Sequence, residues 1–231
     1  MCQGGSTQTA VPVGSEGLAL RHFDQMWTAM PYQLTHEDGG RSLLIHTALT
    51  LLNTVHPEDL SIREVARRAD LSSGAPYHHF KNKTDLLAAC AVVAWSDLCT
   101  QLEDDGGNGP RDRLLARAKT YLAYARANPG PYQLITSRLF VDVEQFPEIV
   151  ELRARAMGGV IDVIIAARGP GIDRPTAKFL GVSMWSLLHG HLVLNSESAG
   201  LLDSDETLDH EIALLATQMA EIPVSSQSQL V

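Results

Sequence analysis

Apolar positions along this 231-residue chain recur at helical spacing. From Gly40 onward, Leu44, Ala48, Leu51 and Val55 share one face of a predicted helix. His56-Pro57 should end it, because a residue before proline is pushed out of the helical region. Ser61, with Glu64 three residues later, has the form of a capping box. The helix it starts carries Ile62, Val65, Ala66 and Ala69 on one side. Asp70-Leu71-Ser72 reads as a turn, and a second short helix runs to Phe80. Asn82-Lys83-Thr84 leads into a long helix from about Asp85 to Glu103. The segment Asp104 to Pro110 breaks the pattern. Further helices are predicted over Asp112–Ala127, Gly130–Phe140, Pro147–Arg168, Pro175–Ser198 and Asp205–Ala220, each separated by Pro/Gly chemistry that ends helices. No stretch sustains strand alternation, so the expected fold is all-α with about nine helices.

The two ends read differently. Residues 1–39 begin rich in Gly, Ser, Thr and Gln and are expected to form a flexible extension, with one short helix near Ser15–Ala29. Met30 is a candidate true start. Residues 223–231 read as a flexible tail.

Composition narrows the class. Apolar residues make up 45% and charged residues 19%, as in ordinary soluble globular proteins. No uninterrupted apolar run reaches the ~20 residues of a membrane span, and the start lacks the pattern of a secretory leader. A cytoplasmic protein with no membrane partner is expected. Cys2, Cys90 and Cys99 form no paired spacing, so neither a disulfide framework nor a zinc site is indicated. Cys90 and Cys99 are separated by about 13 Å of helical rise, too far to bridge, and read as small apolar core residues. The net charge of −9 argues against a nucleic-acid partner until its distribution is considered. Residues 61–83 hold five basic side chains (Arg63, Arg67, Arg68, Lys81, Lys83) against Glu64 and Asp70. A locally basic segment on an acidic body suits contact with phosphates.

The segment Ser61–Leu87 has the layout of a helix-turn-helix. Such a motif needs an apolar face on both helices, which Ile62, Val65, Ala66, Leu71 and Phe80 supply. It also needs small or polar residues toward the groove, and Ser72, Ser73, Gly74 and Ala75 allow close approach. The free N–H groups at that helix start would favour a nearby phosphate, and Pro76 is tolerable in a first turn.

At this point the sequence resembles the TetR family of repressors. Gly74-Ala75-Pro76-Tyr77 is similar to the family's recognition-helix start, Tyr77-His78-His79-Phe80 with Lys83 to its end, and Ile62-Arg63-Glu64-Val65-Ala66 to the preceding helix. The resemblance implies phosphate contacts from Tyr77, His79 and Lys83, with Ser61 and Arg63 able to do the same. It implies base-edge contacts from Ser72, Ser73, Gly74, Ala75 and His78. Phe80 reads as core, and the adjacent His78 and His79 point too far apart to hold a metal. The implied organisation is an extension (1–39), a DNA-binding head (40–84), a helical effector and dimerisation domain (85–222) and a tail.

Further along, Met184-Trp185-Ser186-Leu187-Leu188-His189-Gly190-His191-Leu192 resembles the Trp–His–Gly pattern of one TetR C-terminal subgroup. This implies a homodimer through helices 175–198 and 205–220. The stripe Ile212, Leu215, Ala216 and Met219 suits either that interface or the chain's own core. Trp95, Tyr121, Tyr124, Phe140, Met184, Trp185 and His189 are candidates to line a small-molecule cavity, since pockets are mostly apolar with few polar groups. The implied function is a ligand-released repressor on a palindromic operator. The alternative is a small-molecule carrier or protein-binding regulator of the same fold without specific DNA binding. No catalytic motif, cofactor fingerprint or metal set stands out, so an enzyme is not expected.

Overall fold

A computed structural model of the chain describes residues 39–104, 106–140, 145–197 and 206–220. The expected N-terminal extension up to residue 38, with its helix near 15–29 and Met30, and the tail 223–231 lie outside these residues. Among the described residues the chain forms eight α-helices, two short 3₁₀ turns and no strand. In chain order they are α1 (Gly39–Leu52), α2 (Ile62–Arg68), a 3₁₀ turn (Ala75–His78), α3 (Lys83–Glu103), α4 (Pro110–Ala127) and α5 (Pro129–Thr136). After a second 3₁₀ turn (Arg138–Phe140) come α6 (Pro147–Arg168), α7 (Arg174–Glu197) and α8 (Glu206–Met219). The described residues from Gly40 onward belong to one unit.

Helix α4 is the axis of the larger bundle, with α3, α5, α6, α7 and α8 packed around it. It can be so because Leu114, Ala118, Tyr121, Leu122 and Ala125 are all buried at helical spacing. Helix α3 is long and apolar enough to cross a membrane. Here it is a core helix, with Leu86, Leu87, Cys90, Ala94, Leu98 and Leu102 buried among its neighbours. Cys90 and Cys99 are buried and unbridged, and burial pushes the Cys90 thiol well above its usual range. Asn82 caps α3, its side chain accepting the Asp85 amide at 2.9 Å.

Four local expectations are corrected. Helix α1 stops at Leu52 rather than His56, where the Asn53 and Thr54 amides bond three residues back to the Thr50 and Leu51 carbonyls and the last turn tightens. Ser61 occupies the N-cap of α2 but its side chain makes no capping bond. Glu64 instead accepts from Arg67 at 2.6 Å and Arg68 at 3.0 Å, charge-assisted bonds that outcompete a neutral backbone amide. The second short helix is a four-residue 3₁₀ turn, with the Tyr77 and His79 amides bonding three residues back to the Gly74 and Pro76 carbonyls. So few aligned peptides give little helix dipole. Finally, the predicted helix 130–140 is split: the Thr136 and Ser137 hydroxyls bond back to the Tyr132 and Leu134 carbonyls and close α5.

The turn between α2 and the 3₁₀ segment is tightly built. Asp70 lies at φ 56°, the one non-glycine residue with positive φ among those described. Its amide bonds to the Arg67 carbonyl, and the Leu71 amide to that of Ala66 at 2.9 Å. This pair of bonds is the helix-ending arrangement in which glycine is usual. Asp70→Gly is therefore expected to raise stability by up to about 1 kcal/mol, readable as an increased urea midpoint with an unchanged slope.

Candidate nucleic-acid interface and ligand cavity

The 3₁₀ turn and its flanks form one exposed surface. Ser72, Ser73, Gly74, Tyr77, His78 and His79 are all exposed, and Ala75 is half-buried. Beneath them, Pro76 and Phe80 are buried and anchor the segment to the head. Tyr77 is 52% exposed, so it is not a supporting core residue. The His79 ring lies edge-on to Phe80 with centroids 6.4 Å apart and crowds the backbone at Gly40. Ser61 and Arg63 stand exposed at the start of α2.

Charge on this surface is more selective than the sequence count suggested. Arg67 and Arg68 are tied to Glu64, whose carboxyl is held down at about 2 by those two guanidinium groups. The Lys83 ammonium donates to the Glu58 carbonyl, which leaves two of its three protons for another acceptor. Arg63 makes no ion pair among the described residues. Arg41, which the sequence reading passed over, lies 5.4 Å above the Phe80 ring and brings a further cation to this side of the head. Only its position before a helical stripe could have hinted at this.

A cavity of about 500 Å³ opens among α3, α4, α6 and α7. Of the residues proposed from sequence, Trp95, Tyr121, Met184 and Trp185 line it. Tyr124 does not: it is 2% exposed and donates to the Ala94 carbonyl at 2.9 Å, so it is core. His189 lines a second, more polar cleft between the bundle and the loop after α1. Phe140 ends the second 3₁₀ turn, and its side chain lies outside the described residues. The sequence reading missed Arg117, Arg153 and Lys178, which also line the first cavity.

A hydrogen-bonded chain connects the two cavities. The Trp185 indole N–H donates to the Tyr121 hydroxyl at 2.8 Å, Tyr121 meets Tyr132 at 3.0 Å, and Tyr132 meets His189 Nδ1 at 2.6 Å. Burial lowers the His189 pKa and raises those of both tyrosines, so all three groups are held neutral. The pattern that gives every proton an acceptor runs one way, from Trp185 to His189. From Tyr132 the same helix, α5, reaches the head: the Gly130 amide donates to Asn53 Oδ1 at 3.1 Å, and Gln133 Nε2 lies 2.9 Å from His56 Nδ1.

The last two helices divide their apolar residues between core and surface. On α8, Ala216 is buried, Ile212 half-buried and Leu215 exposed, so the expected stripe is shared between the chain's own core and its exterior. The Met219 side chain lies outside the described residues. On α7, Phe179, Val182 and Leu194 are exposed along one side. Asp209 fixes α8 against α4 and α7: despite its burial, its pairing with Arg126 and with His191 at 2.9 Å holds its carboxyl below the usual range.

Comparison with known proteins agrees with both halves. Residues 44–90 match the family model for bacterial regulatory proteins of the tetR family, and residues 114–215 that for a tetracyclin repressor-like C-terminal domain. An uncharacterized HTH-type transcriptional regulator of Mycobacterium tuberculosis is 27% identical over 169 residues, covering 73% of this chain and 74% of the relative. The class C tetracycline repressor of Escherichia coli is 49% identical over only 51 residues, 22% of this chain and 23% of that protein. A protein from Rhodococcus sp. RHA1 superposes with a TM-score of 0.64 at 24% identity, over 83% of this chain and 96% of that one. A TetR family regulator from Thermus thermophilus does so with a TM-score of 0.58 at 17% identity, over 77% and 96%. At those identities the solved structures speak to the fold.

Proposed function

Because the chain belongs to the TetR family of DNA-binding transcriptional regulators, we propose that it acts in the cytoplasm as a homodimeric repressor that a small molecule releases from a palindromic operator. Residues 40–84 are the DNA-reading head and 85–222 the effector and dimer body. The observation that carries this reading is the exposed, small-residue surface from Ser72 to His79 standing on a buried Pro76 and Phe80. Ser72, Ser73, Gly74, Ala75 and His78 face base edges, while Ser61, Arg63, Tyr77, His79 and Lys83 fix register on phosphates. A second copy docks on the exposed apolar residues of α7 and α8, since two half-sites need two recognition segments.

The mechanism is a population shift. Trp95, Leu98 and Leu102 on α3 line the cavity, and the same helix begins immediately after the recognition segment. An occupant that fits best with α3 displaced favours the state in which the two recognition segments no longer match one operator. The Trp185–Tyr121–Tyr132 chain offers a second route, through α5 to the end of α1.

The test is retention of sheared genomic DNA by the purified protein, followed by a salt titration on whatever is enriched. A short palindrome whose affinity falls steeply with salt is the expected result. Well-folded protein that enriches no sequence at low salt would overturn the repressor reading in favour of a carrier of the same fold.

A further inference from the structure

The cavity among α3, α4, α6 and α7 has an unusual balance of wall chemistry. Its interior is apolar and aromatic, with Trp95, Trp185, Met157 and Met184 facing the space. Four of its lining residues are cationic, Arg117, Arg153, Arg174 and Lys178, and among the described residues no carboxylate lines it. Arg117 is the buried one among them. It sits on the inward face of α4 with Leu114, Ala118 and Tyr121, and is only 5% exposed. Its guanidinium lies so close to α6 that a Cβ at Gly159 would stand 2.5 Å from Nη1.

Arg174 is engaged outside the cavity by Asp162 at 2.7 Å. Arg153 and Lys178 are exposed and make no ion pair among the described residues. They come from different helices, α6 and α7, and both line the cavity.

Resting on the reading of this cavity as the effector site, we propose that its ligand is an amphipathic organic anion: a carboxylate on an apolar body. The apolar body fills the space between the tryptophans and methionines, gaining by area removed from water. The desolvation of the carboxylate is offset only where cations meet it, and here every charged lining group is a cation. A cationic ligand of the same skeleton would be brought beside like charges. A neutral one would gain the apolar term alone.

Calorimetric titration of the full chain with decanoate, decanol and decylammonium separates these cases, because the three share one alkyl body. Decanoate is expected to bind at least about tenfold more tightly than either other compound, the worth of a charge-assisted hydrogen bond. Lys178→Glu and Arg153→Glu change exposed positions, so the fold should survive, and a thermal melt checks it. The double variant should lose the decanoate preference while its affinity for decanol is unchanged. Equal affinity for all three compounds, preference for the alcohol or amine, no binding of any of them, or a preference that survives the double charge reversal would each overturn the proposal. Operator retention is measured separately on the same preparation. A protein that holds its palindrome but shows no anion preference refutes the ligand class and leaves the regulator reading standing. A protein that binds decanoate but no operator refutes the latter.

Discussion

Replacing Gly74 with glutamate is expected to abolish operator binding and leave the protein as stable as before. Gly74 stands just before the 3₁₀ turn at φ −87° and ψ −21°, a right-handed conformation open to any residue. A Cβ built there meets nothing within 4 Å, and the residue is exposed. The fold therefore does not need glycine at this position. A partner that approaches the backbone closely would need it, and a DNA groove is such a partner. Glutamate would add bulk and a negative charge at both half-sites of the proposed dimer. At about 2 kcal/mol per half-site, the operator affinity should fall at least about a thousandfold. Stability should stay within about 0.5 kcal/mol, as for surface substitutions generally. Anisotropy with the recovered palindrome and a thermal melt measure the two quantities. Gly74→Ala, with one methyl and no charge, should lie between parent and glutamate variant. A glutamate variant that binds as tightly as the parent would place the recognition surface elsewhere on the head.

What the sequence made legible follows the range of the interactions concerned. Helices such as α6 and α3 were readable because their apolar spacing and end signals are local: Pro147 and Gly169 bound one, Asn82 caps the other. The head was readable because its chemistry is consecutive, from Ser72 to Phe80. Competition between partners was less visible. Ser61 and Glu64 spell a capping box, but Arg67 and Arg68 are equally near Glu64 and carry charge. The cavity is built from four helices, and only its aromatic members and Met184 stood out in the sequence. Arg117 did leave a trace: a cation among Leu114, Ala118 and Tyr121 interrupts an apolar face, and such a residue is buried only with a purpose or a partner. Tyr124, on nearly the same face, looks identical in sequence, and only the Ala94 carbonyl behind it makes it core. In sequence Gly130 only marks the start of a helix, and nothing local shows what it touches.

That contact makes Gly130→Ala the substitution with the largest expected cost to stability. A Cβ at 130 would stand 2.6 Å from the Asn53 amide nitrogen and would overlap the Leu52 carbonyl group. These are backbone atoms at the end of α1, so no side chain can rotate away. Either α5 must lift from the head or the turn after α1 must distort, and the Gly130 to Asn53 hydrogen bond is strained in both cases. Overpacking of this kind costs about 3 kcal/mol, which for a chain of this size lowers the melting temperature by roughly 10 °C. Gly158→Ala in α6 is the control: a Cβ there meets nothing within 4 Å, and alanine inside a helix should add about 0.5–1 kcal/mol. The same chemical change thus has opposite signs at two glycines. Operator affinity of the Gly130 variant, measured well below its melting temperature, then tests the second route from cavity to head. If α5 helps to set the position of α1 and the recognition segment, affinity falls although no DNA-facing residue has changed. If affinity is unchanged, α3 alone holds the head in place, and the Trp185–Tyr121–Tyr132 chain serves packing rather than release.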